Sequence, residues 1–529
     1  MSKFKPTDVD EVTSIVKSIQ IKCSLEDPVP ANLLSSSSDT FIPFWVELVN
    51  LSLETGSMEG LKNAVVIPLI KELNALTDTE NFKNYRPVSN LLFVSKLIER
   101  VVAIRLQEQM IRNDLLTDKN YGYQKHHSTE HLLLKVVNDL YQSFDKNIPS
   151  VLVLLDLSAA FDTVDHTKLL KILQYEIGIE GIALSWFKSF LQGRTQKVKI
   201  GDEYSELMEL LYGVAQGSVL GPILFKIYIR SFYQHVEATK FNVEGFADDH
   251  QLIKEFLVAF QKKALGIDIQ ACLQHIAKWM NEYFLKLNES KTKILIMAPP
   301  SVQCQIFIRG IFIGNDCIRF VDSAKNLGVI LDNVLSFENQ INKVVKSSFT
   351  TLKQLHQVKG YFSTDDLKQL VSSSILCNID YCNALYFGIS SCLIKKLQHV
   401  QNCAVKLVLK RKISTSKLDL AITDLHWLKV KFRSVFKVLL IVHNCIRGNA
   451  PNEIQSLLLT TDSSRTNKLK QATYCNKYGC RPFSFTGPRL WNMLPGYVRG
   501  VEETANFKKV LKTFLMRDGD KYLRSVESV

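Results

Sequence analysis

The sequence predicts an α+β fold with a mostly helical C-terminal region, on three observations. Between Ile148 and Ile330, short apolar β-rich runs alternate with helical periodicity. Beyond Phe337 the pattern turns almost wholly helical. The 529 residues are 46% hydrophobic and 22% charged. That suffices for a large core and, at about 150 residues each, for roughly three to four domains.

Residues 1–60 read as a helical N-terminal extension. Thr7–Ile19 and Phe44–Leu53 are amphipathic stretches around a Ser35–Ser38 loop, and Thr7, followed by Asp10, suits a helix start. A short strand follows at Val65–Ile70, where Pro68 removes a ladder donor and argues for a sheet edge. A polar loop then leads to a long helix near Leu91–Ile111, with apolar residues at 94, 97, 98, 101, 102 and 106. Far downstream, Leu393–Val408 carries an apolar stripe at helical spacing with Lys395, Lys396, Lys406 and Lys410 off it. Lys412–Lys417 and Thr460–Lys470 are candidate boundaries.

Composition narrows the function classes. Apolar content is too high for a disordered chain. The richest apolar runs, such as Val151–Leu155 and Val438–Val442, are about a quarter of the roughly 20 residues a membrane span needs. The opening MSKFKPTDVDEVTS has no apolar leader, so an intracellular protein of nucleus or cytoplasm is expected. Lys and Arg outnumber Asp and Glu by 65 to 52, a net charge of +13 that favours nucleic acid over a membrane surface as partner. The 11 cysteines include no C-x-x-C. Cys377/Cys382 and Cys475/Cys480 lack a second pair at zinc-site spacing, so buried free thiols are expected.

Two acidic sites about ninety residues apart carry the chemistry. Val151–Leu155 is apolar on both faces, the mark of a buried central strand, and Asp156 sits where it emerges. Phe241–Phe246 and Gln251–Leu257 read as a hairpin with Asp248 and Asp249 at its tip. Three carboxylates at strand ends repel one another, each pair by about 4 kcal/mol at 4 Å and an effective dielectric of 20. One is then protonated, or divalent cations hold them together. Hard oxygen ligands favour Mg²⁺ or Mn²⁺ over zinc, with His250 a neighbour rather than a ligand. Two such ions form the clamp used in phosphoryl transfer. Taken alone, Asp-Asp is more simply a polar turn.

Other residues could surround such a centre. The loop Gly213–Pro222, with Gln216 and Gly217, could pack beneath a base and template, its glycines allowing close backbone approach. Pro222 suits the first turn of a helix over Ile223–Phe232. Lys71 and Arg86 are candidate triphosphate partners, or solvated surface charges. Phe161 could stand against the sugar of a nucleotide, or be a core aromatic. Lys291 could donate a proton to a pyrophosphate leaving group, or be a surface lysine. Trp427 and Trp491 read as core.

In this order the segments resemble the reverse transcriptases of non-LTR retrotransposons of the jockey/chicken-repeat type, over nearly the whole chain. The motifs are Asn84–Asn90, His127–Glu130, Leu154–His166, Gln216–Pro222, Phe246–Asp249, Leu285–Thr292 and Lys325–Asp332. Asp380–Leu385, His426–Leu428 and Pro488–Asn492 resemble the region that follows the polymerase. The resemblance implies a right-hand polymerase: fingers and palm over 61–334, a helical thumb over 335–415, and a region of unknown role over 416–529. It implies Asp156, Asp248 and Asp249 as ligands of two Mg²⁺ ions, Phe161 as a steric gate against ribonucleotides, and Gln216 with Gly217 lining the nucleotide and template site. Lys291 matches the lysine after the catalytic hairpin. Asn326, Leu327 and Gly328, with Lys325, match a primer grip. Template RNA, a DNA primer and dNTPs would be the partners. Ala215 stands where the family usually has Pro, and Gln124 where Arg is usual. Nothing in this chain resembles the family's upstream endonuclease, so a truncated element copy or a fragmentary gene model is expected. The competing readings are a catalytically silent remnant that binds RNA or RNA–DNA duplex, and an RNA-dependent RNA polymerase.

Overall fold

The computed structural model describes residues 1–19, 24, 26, 27, 29–71, 80–158, 160–288, 290–303, 310–313, 316–458, 468–471, 478 and 481–527. Helix and sheet are mixed, as the sequence predicts. The chain forms two compact units of interleaved sequence. One comprises Met1–Thr117, Leu157–Thr239 and Gln274–Asn288; the other comprises Asp118–Asp156, Lys240–Leu273 and Glu289–Val529. Among the described residues no helix is long and apolar enough to cross a membrane.

The first unit opens with three helices, Val9–Ser18, Ala31–Ser36 and Ser38–Thr55. The expected Ser35–Ser38 loop shrinks to a turn at Ser37, because apolar residues on both sides find burial as helices. The first helix is capped by Asp8, whose side chain accepts from the Glu11 N–H at 2.9 Å. Thr7, the expected cap, instead donates its N–H to Asn50 Oδ1 at 2.8 Å and its hydroxyl to Glu11 Oε2 at 2.7 Å. Arg105, from the long helix Phe93–Arg112, forks onto both Glu11 oxygens at 2.7 and 2.6 Å and also donates to the carbonyls of Lys5 and Pro6.

Burial works to raise the Glu11 carboxyl, but the hydrogen bonds from Arg105 and Thr7 overcome it and hold the group below its ordinary 4.5. A carboxyl lowered in the folded state adds stability above its unfolded value and loses it as pH falls through the folded one. Arg105→Leu is therefore expected to cost about 3 kcal/mol at pH 7. The gap from the parent should narrow as pH drops below 4.5, followed by circular dichroism melts at several pH values.

The sheet of this unit runs in the order Tyr85–Leu91, Ala64–Ile70, Thr195–Ile200, Glu203–Tyr204. Residues 85–91, expected as loop, are thus a strand, since pairing along all of Ala64–Ile70 satisfies their backbone. The strand bearing Pro68 is not an edge strand, for Ala64–Val66 also pairs in parallel with Gln196–Val198. Pro68 lies beyond the last of those parallel pairs, where no donor is required. The helix expected over Ile223–Phe232 is two, Gly221–Tyr228 and Arg230–Glu237, broken at Ile229.

The second unit is built on an antiparallel sheet in the order Lys293–Met297, Ser150–Leu155, Asp249–Glu255, Asn242–Phe246. Ser150–Leu155 is central, as its apolar run predicts. The helix Thr129–Asp145 starts at Ser128, whose side chain accepts from the His131 N–H. Its Leu132, Leu133 and Leu140 share a core with Leu152, Ile253 and Leu295. That core continues without a break through the helices Glu338–Val358, Ser391–Val408, Val430–Ile446, Phe483–Asn492 and Thr504–Glu527. The stripe read at Leu393–Val408 is its buried face, and Trp427 and Trp491 are core. Cys377 and Cys382 are free thiols, the first exposed and the second buried. Cys475, Cys480 and residues 460–467 of the second candidate boundary lie outside the described residues.

Candidate active site

The hairpin expected around the acidic pair forms with a two-residue tip. Asn242–Phe246 and Asp249–Glu255 pair antiparallel, Phe246 opposite Asp249, so the turn is Ala247–Asp248. Ala247 takes a left-handed φ of 59°. On the other side, Ser150–Leu155 pairs with Asp249–Glu255 up to Leu155 opposite His250. Extended one residue beyond its last pair, that register puts Asp156 opposite Asp249, and the charge of Asp156 acts on the Asp249 carboxyl. Leu155 and His250 point to the other face and are buried. His250 is held neutral by that burial, its pKa pushed down to about 4.

Two carboxylates thus share a face, with Asp248 on the adjoining turn. The Asp249 carboxyl is pushed up to about 6, by the atoms crowded around it and then by the negative charges of Asp248 and Asp156. The residue itself stays exposed, so repulsion by the two neighbouring charges outweighs crowding. Lys291 stands on the rim with Nζ 3.7 Å from Asp156 Oδ2, and Lys291 and Lys325 both draw Asp249 downward.

Among the described residues, no group of three or more His, Cys, Asp or Glu side chains is gathered so that it could hold a metal ion by itself. The open carboxylate rim still fits Mg²⁺, which is typically held by one or two carboxylates and completed by water and substrate phosphates.

Three contacts that sequence reasoning missed fix this turn. Buried Asn120 accepts the N–H groups of Gly122 and Ala247 on Oδ1, each at 3.0 Å, and donates Nδ2 to the Ala247 carbonyl at 3.1 Å. Gly122 lies so close that a Cβ there would meet the Ala247 nitrogen at 2.4 Å. Gln124, where the family usually has Arg, donates to the Asn120 carbonyl at 2.7 Å and so serves this loop. No motif or periodicity marks Asn120, since the Ala247 it clasps lies 127 residues away.

Residues 326–328 form the tip of the hairpin Ser323–Asn326 and Val329–Asp332. Asn326 is buried, and its Nδ2 donates to Gln251 Oε1 at 2.6 Å, tying this tip to the strand that begins at Asp249. Tyr381 donates its hydroxyl to the Leu327 carbonyl at 2.7 Å and packs where a Gly328 side chain would go.

The remaining candidates belong to the other unit. Gln216 Nε2 donates to both Asp162 oxygens, at 2.9 and 3.1 Å, and its carbonyl accepts from Ser89 at 2.7 Å. Gly217 has φ 133°, and a Cβ there would meet the Ser89 carbonyl at 2.4 Å, so only glycine fits. Phe161 stacks on Phe225 at 4.6 Å, and its carbonyl accepts from Val214. Burial pushes the Asp162 carboxyl up, while Gln216 and the charge of Lys71 pull it down. Gln216 and Lys71 therefore both act on Asp162, which follows Phe161 in the chain, while Gly217 packs on the Ser89 backbone. Arg86 lies exposed on the strand Tyr85–Leu91, outside the contacts that define that group. Buried Glu99 holds the loop from below by accepting the N–H groups of Val219 and Leu220 at 2.7 and 3.1 Å. No spacing rule picks out that residue either.

Residues 77–331 match the family described as reverse transcriptase (RNA-dependent DNA polymerase). The chain is 26% identical over 378 residues to the "Probable RNA-directed DNA polymerase from transposon BS" of Drosophila melanogaster, covering 69% of this chain and 40% of that protein. It is 25% identical over 357 residues to the RNA-directed DNA polymerase from mobile element jockey of the same species, covering 66% and 37%. Similarity extends to the Pol polyprotein from type-1 retrotransposable element R2 of Popillia japonica, 27% identical over 191 residues, 34% of this chain and 26% of that one. The matches to the BS and jockey proteins thus take in about 40% of those relatives' length.

Proposed function

We propose, from the match of residues 77–331 to the reverse transcriptase family, that this chain is the polymerase part of a non-LTR retrotransposon protein, adding dNTPs to a primer 3′-hydroxyl on an RNA template. The observation that carries the reading is the register that brings Asp156 opposite Asp249 beside the Asp248 turn. Members of this family use divalent metal ions. Asp156, Asp248 and Asp249 are the residues that would hold two of them, Mg²⁺ or Mn²⁺, whose chemistry when bound is stabilisation of the attacking and leaving oxygens.

The chain's own groups do the rest by positioning and charge. Lys291, beside Asp156, delivers a proton to the pyrophosphate leaving group. Gln216 and Gly217 form a backbone floor for base and template, with Lys71 and Arg86 as triphosphate partners. Asn326, Leu327 and Gly328 grip the primer through the hairpin tip, since the Asn326 side chain is spent on Gln251. On this reading residues 61–334 are fingers and palm and 335–415 the thumb, with 1–60 a helical extension and 416–529 a further region.

Primer extension on poly(rA)/oligo(dT) with Mg²⁺ tests the proposal. An inactive parent that still binds the duplex would favour the silent remnant instead. Phe161, half-buried and stacked on Phe225, acts as the gate against a ribose 2′-hydroxyl. Phe161→Ala is expected to raise ribonucleotide incorporation relative to dNTPs by about tenfold or more, the range for removing one steric barrier. Competition assays with labelled rNTP read this directly, and a parent that already accepts ribonucleotides freely would remove the assignment.

A further inference from the structure

Within the second unit, a cavity of about 720 Å³ opens between the helices Thr364–Val371, Val430–Ile446 and Thr504–Glu527. Four basic side chains from these three helices line it: Lys368, Arg433, Lys437 and Lys512. Two acids oppose them. Glu130 is engaged by Lys437 at 3.2 Å and by the Ala384 N–H, and Asp380 by Arg433 at 2.5 Å. Lys368 and Lys512 have no carboxylate partner among the described residues. The exposed His426 adds an imidazole on the same wall.

Burial, and then the positive charges of Arg433 and Lys368, hold the Lys512 ammonium below its ordinary value. Like charges gathered in a concave site are unfavourable unless an anion completes them. The volume is several times that of a single ion and suits one or two nucleotide units. The net charge of +13 makes a polyanion the partner to expect.

We propose that this cavity is a binding site for the phosphodiester backbone of a nucleic-acid strand, contacted by Lys368 and Lys512. It rests on the polymerase reading only for the kind of polyanion, and it gives the helices beyond residue 416 a role in holding that strand. Trp427 is buried in the wall, so the contact is with backbone phosphates rather than through base stacking.

The test is fluorescence anisotropy with labelled single-stranded RNA and, separately, labelled RNA–DNA duplex, titrated with the full chain at several salt concentrations. Lys368→Gln with Lys512→Gln is expected to weaken binding about tenfold near 100 mM salt. For single strands it should reduce the slope of log affinity against log salt by about 1.4, or 0.7 for each phosphate no longer neutralised. A weakening confined to one oligonucleotide identifies the strand bound. The two single-lysine variants provide the measurement should the double variant fold poorly. Cys377→Trp, which obstructs the cavity without changing charge, should also weaken binding. Unchanged affinity and slope on both oligonucleotides overturn the site. Extension is a separate readout. A parent that binds RNA through these lysines but never extends a primer sinks the polymerase reading alone, and one that extends but binds RNA indifferently to them sinks this site alone.

Discussion

Asp248→Asn is expected to lower RNA-templated primer extension by about a thousandfold, on the order of 4 kcal/mol of transition-state stabilisation, while leaving the melting temperature unchanged or slightly raised. The substitution keeps the shape of the side chain and removes one negative charge from a rim where Asp156, Asp248 and Asp249 repel one another. Ground-state folding gains from that relief. Catalysis loses, because charge developing on transferred phosphoryl oxygens needs the full negative set that gathers the cations. The opposite signs of the two effects distinguish a catalytic carboxylate from a polar turn. Asparagine is common in turns and would extend the primer as the parent does if Asp248 served only the hairpin. Extension within tenfold of the parent would remove Asp248 from the site.

Asn120→Ala is expected to lower the same activity about a hundredfold and to cost roughly 3 kcal/mol of stability. The side chain is buried and makes three hydrogen bonds, two of them to Ala247 immediately before Asp248 and one to the neighbouring Gly122 N–H. Its loss strands two N–H groups and a carbonyl, and an orphaned buried group costs about 1–3 kcal/mol. A displacement of about 1 Å at a reacting group is enough for a hundredfold loss of rate. Asn120→Asp separates the contributions. It retains the acceptor for both N–H groups but opposes a second oxygen to the Ala247 carbonyl, so stability and extension should fall between parent and alanine variant. Thermal melts and single-turnover extension are the measurements. A melting temperature that falls with no change in extension would make Asn120 a scaffold residue only.

Much of this was legible in the sequence because it is encoded locally. The run Val151–Leu155 is apolar on both faces and so must be central in a sheet. Two short runs around Ala247–Asp248 must turn back on each other. The stripe from Leu393 to Val408 spaces its apolar residues as one helix face does. Each of these follows from the period of a single element.

Errors arose where local preference met a partner elsewhere in the chain. Residues 85–91 became a strand because Ala64–Ile70 lay alongside, and Thr7 surrendered its cap to Asp8 because Asn50 claimed its N–H. The register that sets Asp156 against Asp249, the Asn120 clasp on Ala247, the Glu99 support under Val219 and Leu220, and the convergence of Lys368 with Lys512 were decided by tertiary structure alone. Periodicity determines which face of an element is buried, and so makes the elements predictable one at a time. It carries no information about which distant backbone group or charge will lie opposite. That pairing is selected only when the whole core packs, through hydrogen bonds and registers joining residues far apart in the sequence.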